Sequence, residues 1–294
     1  MRKFNAINFI PYLIALLVYL FPKITQAEAQ PPSLGNFALP SAQQPGPLLS
    51  FGQNIIDKNQ LQIFVDPNYL KEPNQHYLTV PFSALYGLSD QASVLVTLPW
   101  AVDYVNKPYH SSGIGDISFQ VEYAFFEKST ATYVDQFTFV NSLSLPTGSF
   151  NKKPSTGFGT PSVFAGATFN RMSVDWLLFA SPGVIWITKN QNIQLGTEYF
   201  YQCGLGRNIH SVPGQYIFFL LGELDGTYLG KNKIDGHSYP NSGGNIIYAT
   251  PSLWFSTKRW FFQLGLSLPV SQHWNGNQSE TSYFASATTG WTFN

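Results

Sequence analysis

Charge is scarce in this chain of 294 residues: Asp, Glu, Lys and Arg together make up 11%, against about 25% in a typical soluble domain. Acidic and basic residues balance at 16 each. No basic stripe is available for a phosphate backbone, so nucleic acid is not an expected partner. A single cysteine, Cys203, excludes an intrachain disulfide. Beyond residue 30 no apolar run reaches the length of a membrane-spanning helix, and no apolar stripe of period 3.6 recurs. H-x-x-x-H, C-x-x-C and G-x-S-x-G are all missing. No metal, cofactor or catalytic residue is therefore expected.

What the sequence does have begins with Arg2 and Lys3, then an apolar run from Phe9 to Phe21 broken only by Pro11, then Ala27-Glu28-Ala29. This is the pattern of a signal peptide over residues 1–29, with the mature chain beginning at Gln30. The run is shorter than the roughly 20 residues a spanning helix needs. Removing residues 1–29 takes away Arg2, Lys3, Lys23 and Glu28 and leaves 13 basic and 15 acidic residues. Residues 30–59 are polar and punctuated by Pro31, Pro32, Pro40, Pro45 and Pro47. They read as a Pro-rich periplasmic leader, a disordered tail in preference to a plug or docking segment.

From residue 60 to 294 the dominant signal has period two. In DISFQVEYAFF (116–126), Ile117, Phe119, Val121, Tyr123 and Phe125 alternate with Asp116, Ser118, Gln120, Glu122 and Ala124. The same alternation recurs in 191–205, 259–270 and 281–293. Twelve such segments can be counted, near 60–70, 77–88, 91–103, 115–126, 134–146, 158–169, 174–187, 191–205, 214–228, 245–256, 259–270 and 281–293. At about 3.3 Å per residue and a tilt near 40°, eleven residues rise roughly 28 Å, close to the hydrocarbon thickness of a bilayer. Short links are expected after even segments, with 127–133 and 206–213 somewhat longer, and long links after odd ones: 104–114, 147–157, 229–244 and 271–280. The short link 188–190 is the exception. The fold class expected is all-β, a 12-stranded antiparallel transmembrane β-barrel with short periplasmic turns and long outer loops.

Which side of each strand meets lipid follows from the cations. All 13 basic residues after Gln30 fall in expected turns, loops or segment ends. A cation facing the bilayer midplane costs roughly 2–4 kcal/mol, so the greasy set is expected to face lipid and the polar set the bore. By that parity Asp103, Asp116, Glu122, Asp175, Glu198, Glu223 and Asp225 point inward, together with Phe164, Phe200, Phe261 and Phe284. Carboxylates without cations beside them would favour cations or neutral polar solutes; equally, they could bond to neighbours inside a filled barrel. Aromatics at segment ends, Trp100, Tyr104, Trp176, Trp186, Tyr228, Trp260, Tyr283, Trp291 and Phe293, read as interfacial girdles.

Four stretches carry a resemblance to a known family. PFSALYGLSDQASVLVTLPW (81–100) and SGIGDISFQVEYAFF (112–126), with LSLPTGS (143–149) and the GLSLPV before Asn275-Gly276, resemble the outer-membrane proteins named for the meta-pathway of phenol degradation. The chain departs from that family in its Pro-rich leader and in ending Phe293-Asn294. The resemblance implies a 12-stranded channel or transporter in the outer membrane of a Gram-negative bacterium, with small hydrophobic or aromatic solutes as cargo and no catalytic residues. Outer-membrane lipid, a small solute and the barrel-assembly machinery are the partners expected. Two other functions fit an outer-membrane barrel: a structural or adhesive one without transport, or a lipid hydrolase. The latter would need a positioned Ser–His pair, and only the adjacent His110-Ser111-Ser112 offers one.

Overall fold

A computed structural model describes residues 24–27 and 29–293. Most of the expected signal peptide, and Asn294, lie outside the described residues. Twelve wall strands follow in order: β1, in two pieces (Leu61–Val65 and Asn68–Glu72), β2 (Gln75–Ser89), β3 (Ala92–Asn106), β4, also in two pieces (Tyr109–Ile114 and Ile117–Ser129), β5 (Tyr133–Leu145), β6 (Ser162–Ser173), β7 (Trp176–Ile187), β8 (Glu198–Val212), β9 (Tyr216–Leu229), β10 (Gly244–Thr257), β11 (Trp260–Trp274) and β12 (Tyr283–Phe293). Each pairs antiparallel with its neighbours in sequence, and β12 pairs back onto both pieces of β1. The sheet is therefore closed, which removes the unpaired edge that lipid cannot satisfy. Ile24–Ala27 adds a short parallel strand beside the end of β4.

The alternation is explained by this wall. Leu264 and Tyr199 lie on the outer surface, 50% and 49% exposed. Glu122 on the opposite face is 1% exposed. The outward row of β11, Leu264, Leu266, Leu268 and Val270, is exposed throughout. Such a row is stable only against hydrocarbon. Leu264→Arg, whose backbone partners are Leu253 and Ala287 well inside the ladder, is expected to destabilise the folded barrel by about 2–4 kcal/mol in lipid vesicles, read by urea titration. The same change at Val270, near the outer end, should cost well under half as much.

Several boundaries differ from those expected, each for a local reason. β8 runs over Glu198–Val212 instead of 191–205. Gly196 packs so closely against Gly230 that a side chain there would collide with its carbonyl, and its N–H donates to Asn232 Oδ1 at 2.9 Å. Residues 188–197 are thus an outer loop, and the apparent short link at 188–190 disappears. At the other end a bulge at Ile209 carries the β8 ladder through Arg207 and Asn208, which read as a turn. β6 likewise extends through Arg171, so Arg171 and Arg207 belong to strands. Both sit at the rim: Arg207 pairs with Trp176 in register and lies over its ring at 5.2 Å, while Arg171 is bound by Asp135 through two contacts of 2.6 Å. The expected loop 104–114 is a ladder extension, with β3 and β4 continuing outward as a hairpin. The turns on the other side are all short, between Ser89 and Ala92, Ser129 and Tyr133, Ser173 and Trp176, Val212 and Tyr216, and Thr257 and Trp260.

Candidate functional site, a bore filled from within

Residues 36–57 do not hang from the barrel as a disordered tail; they thread through its interior. Their composition explains why no strand or α-helix forms there, only short 3-10 turns at Gly35–Phe37 and Ser41–Gln43. Pro40, Pro45 and Pro47 have no N–H to donate and interrupt any regular ladder, so the segment draws on side chains of the wall for its bonds. It enters at the end with the short turns, where Asn36 N donates to Val174 O at 2.7 Å and Gly214 N donates to Ala38 O at 2.8 Å. Here the inward face of the wall is apolar. Leu177, Phe179, Ile217, Phe219, Trp254 and Phe261 pack around Ala38 and Leu39 in one buried cluster. Wall glycines make room for these rings: a side chain at Gly204 would meet Phe179, and one at Gly206 would meet Phe219.

Higher in the bore the contacts become polar, and the carboxylates carry them. Glu223, 2% exposed, accepts three successive backbone N–H groups, from Leu48 at 2.7 Å, Leu49 at 3.3 Å and Ser50 at 3.2 Å. Asp225, two residues on and facing the same way, accepts from Ser50 Oγ and Thr250 Oγ1, both at 3.0 Å. On the opposite wall Glu122 accepts from Asn54 N at 2.9 Å, Asn54 Nδ2 at 2.6 Å and Gln120 Nε2 at 2.7 Å. Ile56 N then donates to Ser93 Oγ at 3.2 Å on the way back to β1. The segment is a loop standing in the bore, with its apex at Phe51, one limb held by Glu223 and the other by Glu122. Charge-assisted bonds of this kind contribute about 1.5–3 kcal/mol each.

Cavities remain inside, among the described residues. One of about 390 Å³ lies between the plug and the β1–β3 side, lined by Leu48, Gln53, Asp66, Pro81 and Phe284 among others. Another of about 440 Å³ opens toward the short-turn end past Glu127, Gln136 and Asn170. A third of about 240 Å³ lies beside Phe51, Phe164 and Phe200. Gln53, Ile55 and Ile56 line both the first and the second, and Leu49 lines both the first and the third. Plug residues therefore form the partitions between them.

The carboxylates expected in the bore divide into groups. Glu122, Glu223 and Asp225 anchor the plug. Glu198 lies on the inward face of β8 near its outer end, partly buried. Asp116 ties down the outer loop that follows β5, accepting from Gly148 N at 2.9 Å and Phe158 N at 2.7 Å. Asp175 is not in the bore: it is exposed in the turn between β6 and β7, because the strand expected from residue 174 begins only at Trp176. Asp103 also differs. An extra residue at Val102 shifts the register and turns Asp103 outward on the extended hairpin, where His76 Nε2 and His110 Nε2 each lie 2.9 Å from it. The hydrogen bond from His76, with a smaller one from His110, holds the Asp103 carboxyl below its ordinary range. The same shift turns Tyr104 inward to bond Thr79 at 2.8 Å, away from the girdle. Of the remaining rings, Trp100, Trp176, Trp186, Trp291 and Phe293 stand 45–49% exposed on the outer surface, all but Trp100 near strand ends. Trp260 is partly buried, its Nε1 donating to Thr289 Oγ1 at 2.9 Å.

Sequence reasoning ranked a plug below a disordered tail and did not assign its wall sockets. The signal was present in the inward acids, since buried carboxylates with no cation opposite need donors from somewhere.

Comparison with known proteins places this architecture. None of the curated proteins matches the chain in sequence. An outer membrane channel from Pseudomonas putida F1 shares the fold at 15% identity and a TM-score of 0.66, over 85% of this chain and 99% of that one. More distant are the NanC porin, 10% identical with a TM-score of 0.46 over 79% of this chain and 99% of that one, and the β domain of the Bordetella autotransporter BrkA, 10% identical with a TM-score of 0.45 over 81% and 100%. A closed twelve-stranded wall with a lipid-facing outer surface is the fold of an outer-membrane β-barrel protein. Residues 47–293 match the family described as the putative MetA-pathway of phenol degradation, and the chain belongs to it.

Proposed function

We propose that this protein passes small, neutral, hydrophobic or aromatic solutes across the outer membrane, and that residues 36–57 hold it closed. The observation that carries the reading is the bore itself. It has a polar wall whose acids are occupied by plug N–H groups, and inward rings, Phe164, Phe200 and Phe284, that line the cavities left beside the plug. Mixed aromatic and polar linings suit neutral ring compounds. The family description and the channel-type fold support the same reading.

The test is entry of phenol into vesicles whose outer leaflet is lipopolysaccharide, which by itself slows such compounds. Refolded protein should raise the entry rate several-fold over protein-free vesicles. Equal rates with and without protein overturn the proposal and leave a structural barrel.

A further inference from the structure

The apex of the plug meets a part of the wall that has been cut away. Gly166 on β6 and Gly183 on β7 are register partners. A Cβ on Gly166 would lie 2.5 Å from the Phe51 ring, and one on Gly183 2.7 Å from it. Only two facing glycines leave this slot open. Its sides are rings: Phe164 meets Phe51 edge-on at 4.6 Å and Phe200 does so at 6.4 Å, with interplanar angles of 75° and 79°. Edge-to-face geometry is the favoured way to hold one aromatic ring among others. Alongside lies the cavity of about 240 Å³, larger than the apolar cavity of about 150 Å³ that admits benzene in another protein. Gln120 and Ser142 on its wall offer oxygens to a ring hydroxyl.

The apex is also the least secure part of the plug. Phe51 N reaches Gln202 Oε1, and Thr168 Oγ1 reaches Phe51 O, both at 3.3 Å, at the long end for such bonds. Gly52 and Gln53 both take positive φ, 85° and 67°, and the second is an uncommon conformation for a residue with a side chain. The Gln53 amide is buried with no hydrogen-bond partner among the described residues. Both limbs are anchored by carboxylates, whereas the tip is held chiefly by its ring.

We propose that the Gly166–Gly183 slot, between Phe164 and Phe200, is a binding site for a neutral monocyclic aromatic solute. Phe51 occupies it in the closed state as a tethered stand-in, and a solute ring entering from the neighbouring cavity exchanges with it and frees residues 51–53. This rests on the channel reading above and names the site and the trigger within it.

The test is binding of 4-fluorophenol to the refolded full chain, followed by fluorine NMR. If the rings compete, Phe51→Ala should bind the probe about ten-fold more tightly than the wild type, the effect of removing a competitor held by two edge-on contacts. Phe51→Leu, which keeps most of the volume, should fall between them and serves if the alanine variant does not fold. Phe200→Leu should bind more weakly than the wild type. Equal or weaker binding in both Phe51 variants overturns the exchange, because Phe51 would then be a wall of the site or no part of it. Phenol entry into wild-type vesicles without tighter binding in the Phe51 variants sinks the exchange alone. Tighter binding without phenol entry supports the site and sinks transport.

Discussion

Deleting residues 36–57 is expected to turn a closed barrel into a conducting one that prefers cations. The wall does not depend on the segment for its backbone bonds, because every strand is paired on both sides by other strands. What the wall loses is internal: the packing of Ala38 and Leu39 on the apolar cluster, and the donors that cap Glu122, Glu223 and Asp225. Water replaces them, and the partitions between the cavities go with the plug. The freed carboxylates, with Glu198 above them, then face a water-filled passage, and carboxylates lining a pore favour cations. In planar bilayers the intact protein should show little steady current and the deletion a large one. In a salt gradient its reversal potential should lie on the cation side and move toward zero when Glu122 and Glu223 are both changed to Gln. A deletion variant that folds into the bilayer and carries no current would mean that something other than this segment closes the bore.

Replacing Glu223 by Ala should have the largest effect of any single change on closure. Three adjacent N–H groups would lose their acceptor at once, that of Ser50 in a buried position and those of Leu48 and Leu49 in partly buried ones. An unpaired buried donor costs about 1–3 kcal/mol, so plug docking should weaken by roughly 3 kcal/mol or more, a hundred-fold or greater shift toward the undocked state. The barrel itself should respond differently. Glu223 is a desolvated carboxylate beside Asp225, and removing it relieves repulsion and desolvation in the wall. Urea titration in vesicles should therefore show a barrel no less stable, while hydrogen exchange over residues 44–56 accelerates and current rises. Glu223→Gln keeps one acceptor oxygen and should lose less than half as much. Unchanged exchange in the alanine variant would remove Glu223 from the anchoring role.

Wall and plug differed in how far they could be read in advance. A strand half in lipid must alternate, so the second piece of β4 as far as Ala124, and most of β11 and β12, were visible in advance. Where a bulge or a close glycine contact breaks the period, parity counting drifted. It carried Asp103 to the wrong face past Val102, put Asp175 into a strand that had not begun, and started β8 seven residues early at 191 because Ile193 and Leu195 continue the pattern. The plug has no period, because its bonds run from its own backbone to side chains up to 217 residues away. Nothing local in Leu48-Leu49-Ser50 announces Glu223. The facing pair of glycines was legible only as residues that pack poorly in a strand, a feature with many causes.

Gln43 leans on the hydroxyl of Thr292 at 2.6 Å across 249 residues of chain, and this ties the plug to the last strand. During biogenesis that contact cannot exist until β12 has been made and the seam with β1 has zipped. Sealing the cylinder and stoppering it are then a single late event, so damage at the seam should announce itself as leakage before it appears as loss of strand content.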